Sequence, residues 1–303
     1  MAGLTQLHAP LTLTDGGLET TLIFHDGFDL PYFAAFVLLD SNGGNAALDH
    51  YVDSYVDVAR RHRLPLVVET ATWRASPDWA RLLDVSDEQL ATLNRRSVEA
   101  VASRASGVEL VVSGCVGPRG DGYVADTAMT AADAQAYHGL QIEALRDGGA
   151  ELVSAITMTN SAEAIGIARA AHDADIACVI SFTVETDGRL PSGEALGDAV
   201  TAVDAATGST PAYYMVNCAH PTHFVDALEP SDWMNRIKGV RANASALTHA
   251  ELDAAEELDA GDPVDLAEQY AGLRATHPGI TIFGGCCGTD PRHVDAAATT
   301  LTR

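Results

Sequence analysis

Eight short apolar runs alternate with eight longer amphipathic stretches along 303 residues, and that alternation predicts an α/β chain folded as a (β/α)8 TIM barrel. Two further observations support this class. Several of the short runs are rich in Val and Ile and apolar on both faces, as strands buried in a parallel sheet are. No Gly-x-Gly-x-x-Gly follows a strand, whereas a doubly wound nucleotide-binding sheet would normally carry one. Neither a Pro/Ser-rich linker nor a low-complexity tract interrupts the pattern, so residues 1–303 read as a single domain.

Taken in order, the expected strands are Leu11–Thr14, Leu66–Thr72, Leu110–Gly114, Leu152–Met158, Ala177–Thr183, Tyr213–Asn217, Ile237–Asn243 and Thr281–Gly284. Between them, Ala46–His62 sets Leu48, Tyr51, Val52, Tyr55 and Ala59 on one helical face. Ser86-Asp87-Glu88-Gln89 is a capping box opening a helix that runs to about Ala105. Thr130–Asp147 ends at Gly148-Gly149, a glycine stop. Ser161–Asp173, Gly193–Ala206, Thr222–Leu228, Pro263–Thr276 and Pro291–Thr300 complete the helices. Ala244–Gly261 is the least regular part, a long loop or an extra helix after the seventh strand.

Composition narrows the function classes. The hydrophobic share of 47% supplies a large core. No apolar run approaches the roughly 20 residues that span a membrane. The first ten residues lack the basic flank and apolar stretch of a signal peptide, so a cytoplasmic location is expected. A net charge of −24, with Lys238 the only lysine, argues against nucleic acid and anionic membrane as partners. The acidic surface would tolerate a cationic substrate, but a solvated surface from a salt-rich cell or a host with biased codon use is the simpler reading of the charge. Five cysteines are too few and too odd in number for a disulfide scaffold, so clustered thiols point to metal or catalysis.

Barrel chemistry sits at the C-terminal ends of strands. Here those ends are rich in small and polar residues: Asp15-Gly16-Gly17, Glu69 to Trp73, Ser113 to Pro118, Thr157 to Asn160, Ser181 to Thr183, Asn217 to His220, Asn243 to Ser245 and Gly285-Cys286-Cys287. Cys218 ends the sixth strand and Cys286-Cys287 the eighth, with one strand between them. Three thiolates at about 2.3 Å can hold Zn2+ tetrahedrally with the fourth position open, as in a catalytic site. The bland alternatives are small buried cysteines or a vicinal Cys286–Cys287 disulfide. An all-thiolate zinc is a weak Lewis acid, ill suited to hydrolysis. It is well suited to taking the proton of a fourth thiol and leaving that sulfur nucleophilic. The site alone therefore points to alkyl transfer onto a thiol.

The residues Asp15-Gly16-Gly17-Leu18-Glu19-Thr20, Gly114-Cys115-Val116-Gly117-Pro118, Asn217-Cys218 and Gly284-Gly285-Cys286-Cys287-Gly288-Thr289, followed by Pro291 and His293, resemble the homocysteine S-methyltransferase family. That family includes betaine- and S-methylmethionine-dependent enzymes and the homocysteine module of cobalamin-dependent methionine synthase. The resemblance spans nearly the whole chain. It implies a zinc-dependent barrel in which Cys218, Cys286 and Cys287 hold the ion, while Asp15, Gly16, Gly17 and Thr70 help hold homocysteine. One position departs from the pattern. Relatives that use homocysteine usually carry a glutamate before the threonine of the fourth strand, where its carboxylate grips the substrate ammonium group. Here Ile156 precedes Thr157. Either Asp15, Asn160 or Glu185 replaces that carboxylate, or the acceptor lacks an amino group.

Other residues carry lesser expectations. Asp15-Gly16-Gly17 could be only a tight turn using positive φ. Cys115 lines the site or packs in the core, and Cys178 is inert core. His220 and His223 are loop residues near the thiols. Asn217 and Asn243 are polar rim groups, and Asn160 and Asn217 are expected among the substrate contacts. Trp73, Tyr123 and Phe24 are the aromatic faces expected to meet a cationic donor. Pro291 starts a helix. The functional expectation is methyl transfer to the thiolate of zinc-held homocysteine, giving methionine. The donor is a sulfonium (S-methylmethionine or S-adenosylmethionine) or betaine. The alternatives are another thiol or selenol acceptor on the same zinc site, a Schiff-base lyase on Lys238, or a non-enzymatic metal handler with four saturated ligands. Small molecules are the expected partners, and the chain could also form a homo-oligomer.

Overall fold

The computed structural model describes residues 4–125 and 129–303, so the first three residues of the N-terminal segment lie outside it. Eight parallel strands close into one barrel in chain order: β1 Thr12–Thr14, β2 Leu66–Glu69, β3 Leu110–Val116, β4 Leu152–Met158, β5 Ala177–Phe182, β6 Tyr213–Asn217, β7 Ile237–Ala242 and β8 Ile282–Gly285. Closure is made by β1 on β8, with Thr12 opposite Ile282 and Leu13 opposite Phe283. Every expected strand forms, and β4 and β6 have the expected bounds. β2, β5 and β7 stop short, because beyond Glu69, Phe182 and Ala242 the backbone leaves the ladder to form the rim. Thr70 still donates its amide to the Ser113 carbonyl (2.9 Å) and accepts from the Cys115 amide with its hydroxyl (2.9 Å) before the chain turns into the rim.

Strand alternation divides the core into two layers. Val67, Val111, Leu152, Ile156, Val179, Tyr213, Met215 and Ile282 fill the barrel. The opposite strand faces, including Leu66, Val68, Val112, Val153, Ile180, Val216 and Phe283, pack beneath the helices. Both faces are therefore dry, which explains the unbroken apolar runs in the sequence.

The helices follow their caps. Ser41 accepts from the Gly44 amide and starts the first long helix at Asn42, earlier than the apolar stripe alone indicates; it runs to His62. The Ser86/Gln89 capping box forms as expected and opens Asp87–Ala102. Thr130 and Asn160 cap Ala131–Asp147 and Ser161–Asp173. Gly193 lies in a turn with φ +86°, so the next helix begins only at Leu196 and ends at Thr207. After β6 the stretch expected to be helical forms one four-residue turn, Pro221–Phe224, continued by a 3-10 turn. Ala244–Gly261 is a loop bearing the short helix His249–Asp253, and Pro263–Thr276 and Pro291–Leu301 close the chain. Among the described residues no helix is long and apolar enough to cross a membrane.

Candidate metal centre and substrate cavity

The C-terminal ends of β6 and β8 bring the three thiols together. Cys218 follows β6 with φ +52°, in the left-handed region that a non-glycine residue enters only when its surroundings hold it there. Those surroundings are explicit. Its amide donates to the Arg241 carbonyl (3.1 Å). Its own carbonyl accepts from Asn243 Nδ2 (3.1 Å) and lies 2.7 Å from His249 Nε2. On the facing turn, the Cys286 amide donates to the Ala242 carbonyl (2.8 Å), and the Cys286 carbonyl accepts from Thr289 Oγ1 (2.6 Å). Gly288, with φ +77°, turns the chain away after the second thiol.

All three sulfurs lie within 4.8 Å of one another. Cys218 and Cys286 are paired as a disulfide, not the vicinal bridge that adjacency in sequence allows. Cys287 Sγ stands 3.8 Å from Cys218 Sγ. Two ligands at about 2.3 Å on a tetrahedral ion are about 3.8 Å apart, so the donor type and this spacing both fit zinc. The reduced thiols are the form that can hold it, since a disulfide sulfur carries no thiolate. Tyr123 lies over the group, its hydroxyl 3.4 Å from Cys287 Sγ and 3.8 Å from Cys218 Sγ, with its ring stacked on His249 at 4.0 Å. Burial pushes the Cys287 thiol up to about 11, with the Tyr123 hydroxyl opposing, so the thiolate needs a cation to form at neutral pH.

Asn217 and Asn160, expected to reach substrate, spend their side chains on the protein itself. Asn217 is fully buried and lies outside the cavity lining. Its Oδ1 accepts from the Thr157 amide (3.0 Å) and the Ser181 hydroxyl (2.6 Å), and its Nδ2 donates to Thr157 Oγ1 (2.9 Å). Thr157 sits at a register shift in β4 with φ +66°, a costly conformation for a β-branched residue. Asn217 thus clamps a strained bulge, and its Nδ2 lies 3.8 Å from Cys286 Sγ. Asn217→Ala orphans these buried groups, at about 1–3 kcal/mol each. The urea midpoint should fall accordingly, and a total loss under about 1 kcal/mol would rule the clamp out. Asn160 caps the helix after β4, accepting from the Glu163 amide at 2.9 Å, and it too lies outside the cavity lining.

Beside the thiols opens a cavity of about 270 Å3. Asp15, Gly16, Gly17 and Thr70 line it, as do Cys115, Ile156 and the aromatic residues Phe24, Phe33, Trp73 and Tyr123. Gly16 and Gly17 have ordinary φ, so the tight-turn expectation fails. What Gly17 supplies is room: a Cβ there would stand 2.6 Å from the Cys286 carbonyl oxygen. The cavity floor holds a charge cluster that the sequence reading missed. Arg241 of β7 lies between Asp15 (2.8 Å) and Glu69 of β2 (3.3 Å), all three buried. Tyr51 donates to Asp15 Oδ2 (3.1 Å). A charged residue inside each of two strands expected to be apolar was the available signal.

Burial raises the Glu69 carboxyl from 4.5 to about 7, opposed by Arg241 and helped by Asp15. A carboxyl whose folded value is raised keeps its proton in the native state after the unfolded chain has released its own. Its contribution is therefore present below about 4.5 and is lost as pH rises through about 7. Glu69→Gln should flatten the fall of unfolding free energy between about pH 4.5 and 7. An unchanged slope in urea titrations across that range would contradict the assignment.

The remaining expected residues lie elsewhere. Cys178 is buried in β5 away from the cavity, and burial raises its thiol to about 12. His220 bonds Thr222 Oγ1 at 2.8 Å and His223 faces the Ala246 carbonyl at 3.0 Å, so neither joins the sulfurs. Glu185 pairs with His249 (2.9 Å) outside the cavity lining. Lys238 stands near the start of β7 beside Gly279, at the barrel end opposite the cavity, which leaves the Schiff-base reading without a site. Arg74, also missed, stacks between Trp73 and Trp79 with its guanidinium carbon 4.0 Å from each ring centroid. It donates to the Gly120 carbonyl (2.6 Å) and so steadies the loop that carries Tyr123.

A parallel eight-stranded barrel whose rim gathers three cysteines beside a cavity defines a class: a (β/α)8 barrel with a cysteine cluster at the mouth of its cavity. The chain belongs to the homocysteine S-methyltransferase family, whose model matches residues 12–301. Methionine synthase of Mycobacterium leprae is 30% identical over 167 residues, and that of Mycobacterium tuberculosis 30% over 165. These matches cover 52% and 51% of this chain but only 13% of either relative. Among solved structures, the homocysteine methyltransferase MmuM from Escherichia coli superposes in its oxidized form (TM-score 0.72, 24% identity, 97% of both chains). It does so equally in its metallated form (TM-score 0.72, 22% identity, 96% of both chains). At these identities the likeness bears on the fold.

Proposed function

We propose that this enzyme transfers a methyl group from a cationic donor to the thiol of homocysteine in a zinc-dependent reaction, giving methionine. The observation that carries the reading is the convergence of Cys218, Cys286 and Cys287 at one edge of the cavity. When bound by these thiolates, zinc favours loss of the acceptor thiol's proton while leaving the sulfur nucleophilic. The chain's own residues supply the rest. The clamp on Thr157 and the bonds to the Cys218 and Cys286 backbones fix the sulfurs before substrate arrives. The loop after β1 and Thr70 form the wall beside them.

The cavity suits a cation. Asp15, Glu69, Asp121, Asp253, Glu257 and Asp259 outnumber Arg74 and Arg241, and four aromatic rings add negative faces. A sulfonium such as S-methylmethionine or S-adenosylmethionine, or a quaternary ammonium such as betaine, already carries the positive charge. The acceptor sulfur's lone pair forms the new S–CH3 bond as the donor's bond to that methyl breaks. The donor then leaves as a neutral thioether or tertiary amine, so no general acid is required. Reduced, zinc-loaded protein should methylate homocysteine with at least one of these three donors, at one zinc per chain. Protein that binds zinc but methylates homocysteine with none of them would end this reading.

A further inference from the structure

The proposed acceptor carries an α-ammonium group, and none of the residues expected to meet it is free to do so. Ile156 gives the β4 side of the cavity an apolar surface. Asp15 is bound to Arg241 and Tyr51, Asn160 caps a helix, and Glu185 pairs with His249 outside the cavity. Glu19 stands apart. It lies on the single helical turn Leu18–Thr20 after β1, lines the cavity, and is partly buried. Among the described residues no side chain donates a hydrogen bond to it or forms an ion pair with it. The two guanidiniums of the cavity are engaged elsewhere, Arg241 with Asp15 and Glu69, Arg74 with the Gly120 carbonyl and two tryptophan faces.

Resting on the thiol-methyltransferase reading, we propose that Glu19 receives the α-ammonium group of the acceptor. A carboxylate in a confined cavity with no cationic partner is costly, and a ligand ammonium removes that cost on binding. Burial raises the Glu19 carboxyl to about 7, with Asp15 adding to the rise, against its own backbone amide and the charges of Arg74 and Arg241. Geometry selects the acceptor over the donor. Thr20, the next residue, accepts from the Gly288 amide (3.2 Å), and Gly17 packs against the Cys286 carbonyl. The turn bearing Glu19 is therefore fastened to the turn bearing the thiols. The charge of Glu19 is felt at the Cys287 thiol, so a short molecule with a thiol for the cysteines and an ammonium group a few bonds away can reach both.

The test compares homocysteine with 4-mercaptobutyrate, the same chain without the amine, on zinc-loaded parent enzyme and Glu19→Gln. Calorimetric affinity and KM are both read. Glu19→Gln should weaken homocysteine by about 10- to 100-fold and leave 4-mercaptobutyrate within about twofold, with zinc content and donor KM unchanged. Retained 4-mercaptobutyrate binding also shows that the variant is folded. Equal weakening of both thiols, no weakening of homocysteine, or a change confined to donor KM overturns the assignment. A parent enzyme that methylates homocysteine while Glu19→Gln behaves identically rejects Glu19 alone. A parent that methylates no thiol rejects the underlying reading.

Discussion

Replacing Cys286 with alanine is expected to take zinc content from one equivalent to a small fraction and to reduce methyl transfer below detection. Groups that only orient metal ligands already change affinity by roughly 10–100-fold when removed, so loss of one of three ligands should exceed that range. The fold should survive the change. The bonds that hold this turn run from the backbone of Cys286, not its sulfur: its amide to Ala242, its carbonyl to Thr289. Cys178→Ala is the control, since that thiol lies in β5 outside the cavity and should keep full zinc and activity. Metal analysis of reduced, desalted protein decides the matter. A full equivalent of zinc in Cys286→Ala would remove the three-thiolate site.

Arg241→Met is the second large effect, and it falls on stability. The guanidinium is buried between Asp15 and Glu69, so removing it leaves two carboxylates confined together without a counter-charge. Breaking a buried ion pair from one side costs about 3–5 kcal/mol, a large part of a typical domain's total. The loss should depend on pH. Burial already raises both carboxyls, Glu69 to about 7, and without Arg241 both rise further. At acidic pH both are protonated in the folded state and the missing charge matters less. As pH climbs through neutrality the folded state must release those protons or hold them at a cost, and stability drops. Urea unfolding at about pH 5.5 and 8 should give a clearly larger deficit at the higher value. An equal deficit at both, or one below about 1 kcal/mol, would show that the cluster is not the stabilising unit described here.

Neither effect is visible in the sequence to the same degree. The thiols were legible because cysteine pairs on glycine-rich turns are rare and strand ends face the rim of a barrel. The charge cluster was not, because Glu69 and Arg241 are 172 positions apart and meet only when β2 and β7 share one interior. A charged residue in an apolar strand signals a buried partner but does not say which.

The strand periodicity, the capping serines and threonines and the glycine stops are local, and they determined the eight-fold barrel and the order of its elements, with most bounds displaced by a few residues. The three cysteines, by type and position, pointed to thiolate chemistry. Tertiary structure alone decided how the polar residues are used. Asn160 and Asn217 stand at strand ends like substrate contacts, yet one caps a helix and the other braces a strained threonine. Glu19 looked like one more residue of a motif until its neighbours proved to be engaged with one another. A side chain's hydrogen-bond partners are fixed by the closure of the barrel, which joins distant segments. Periodicity tells which way a residue faces, and only the folded chain tells what it meets there.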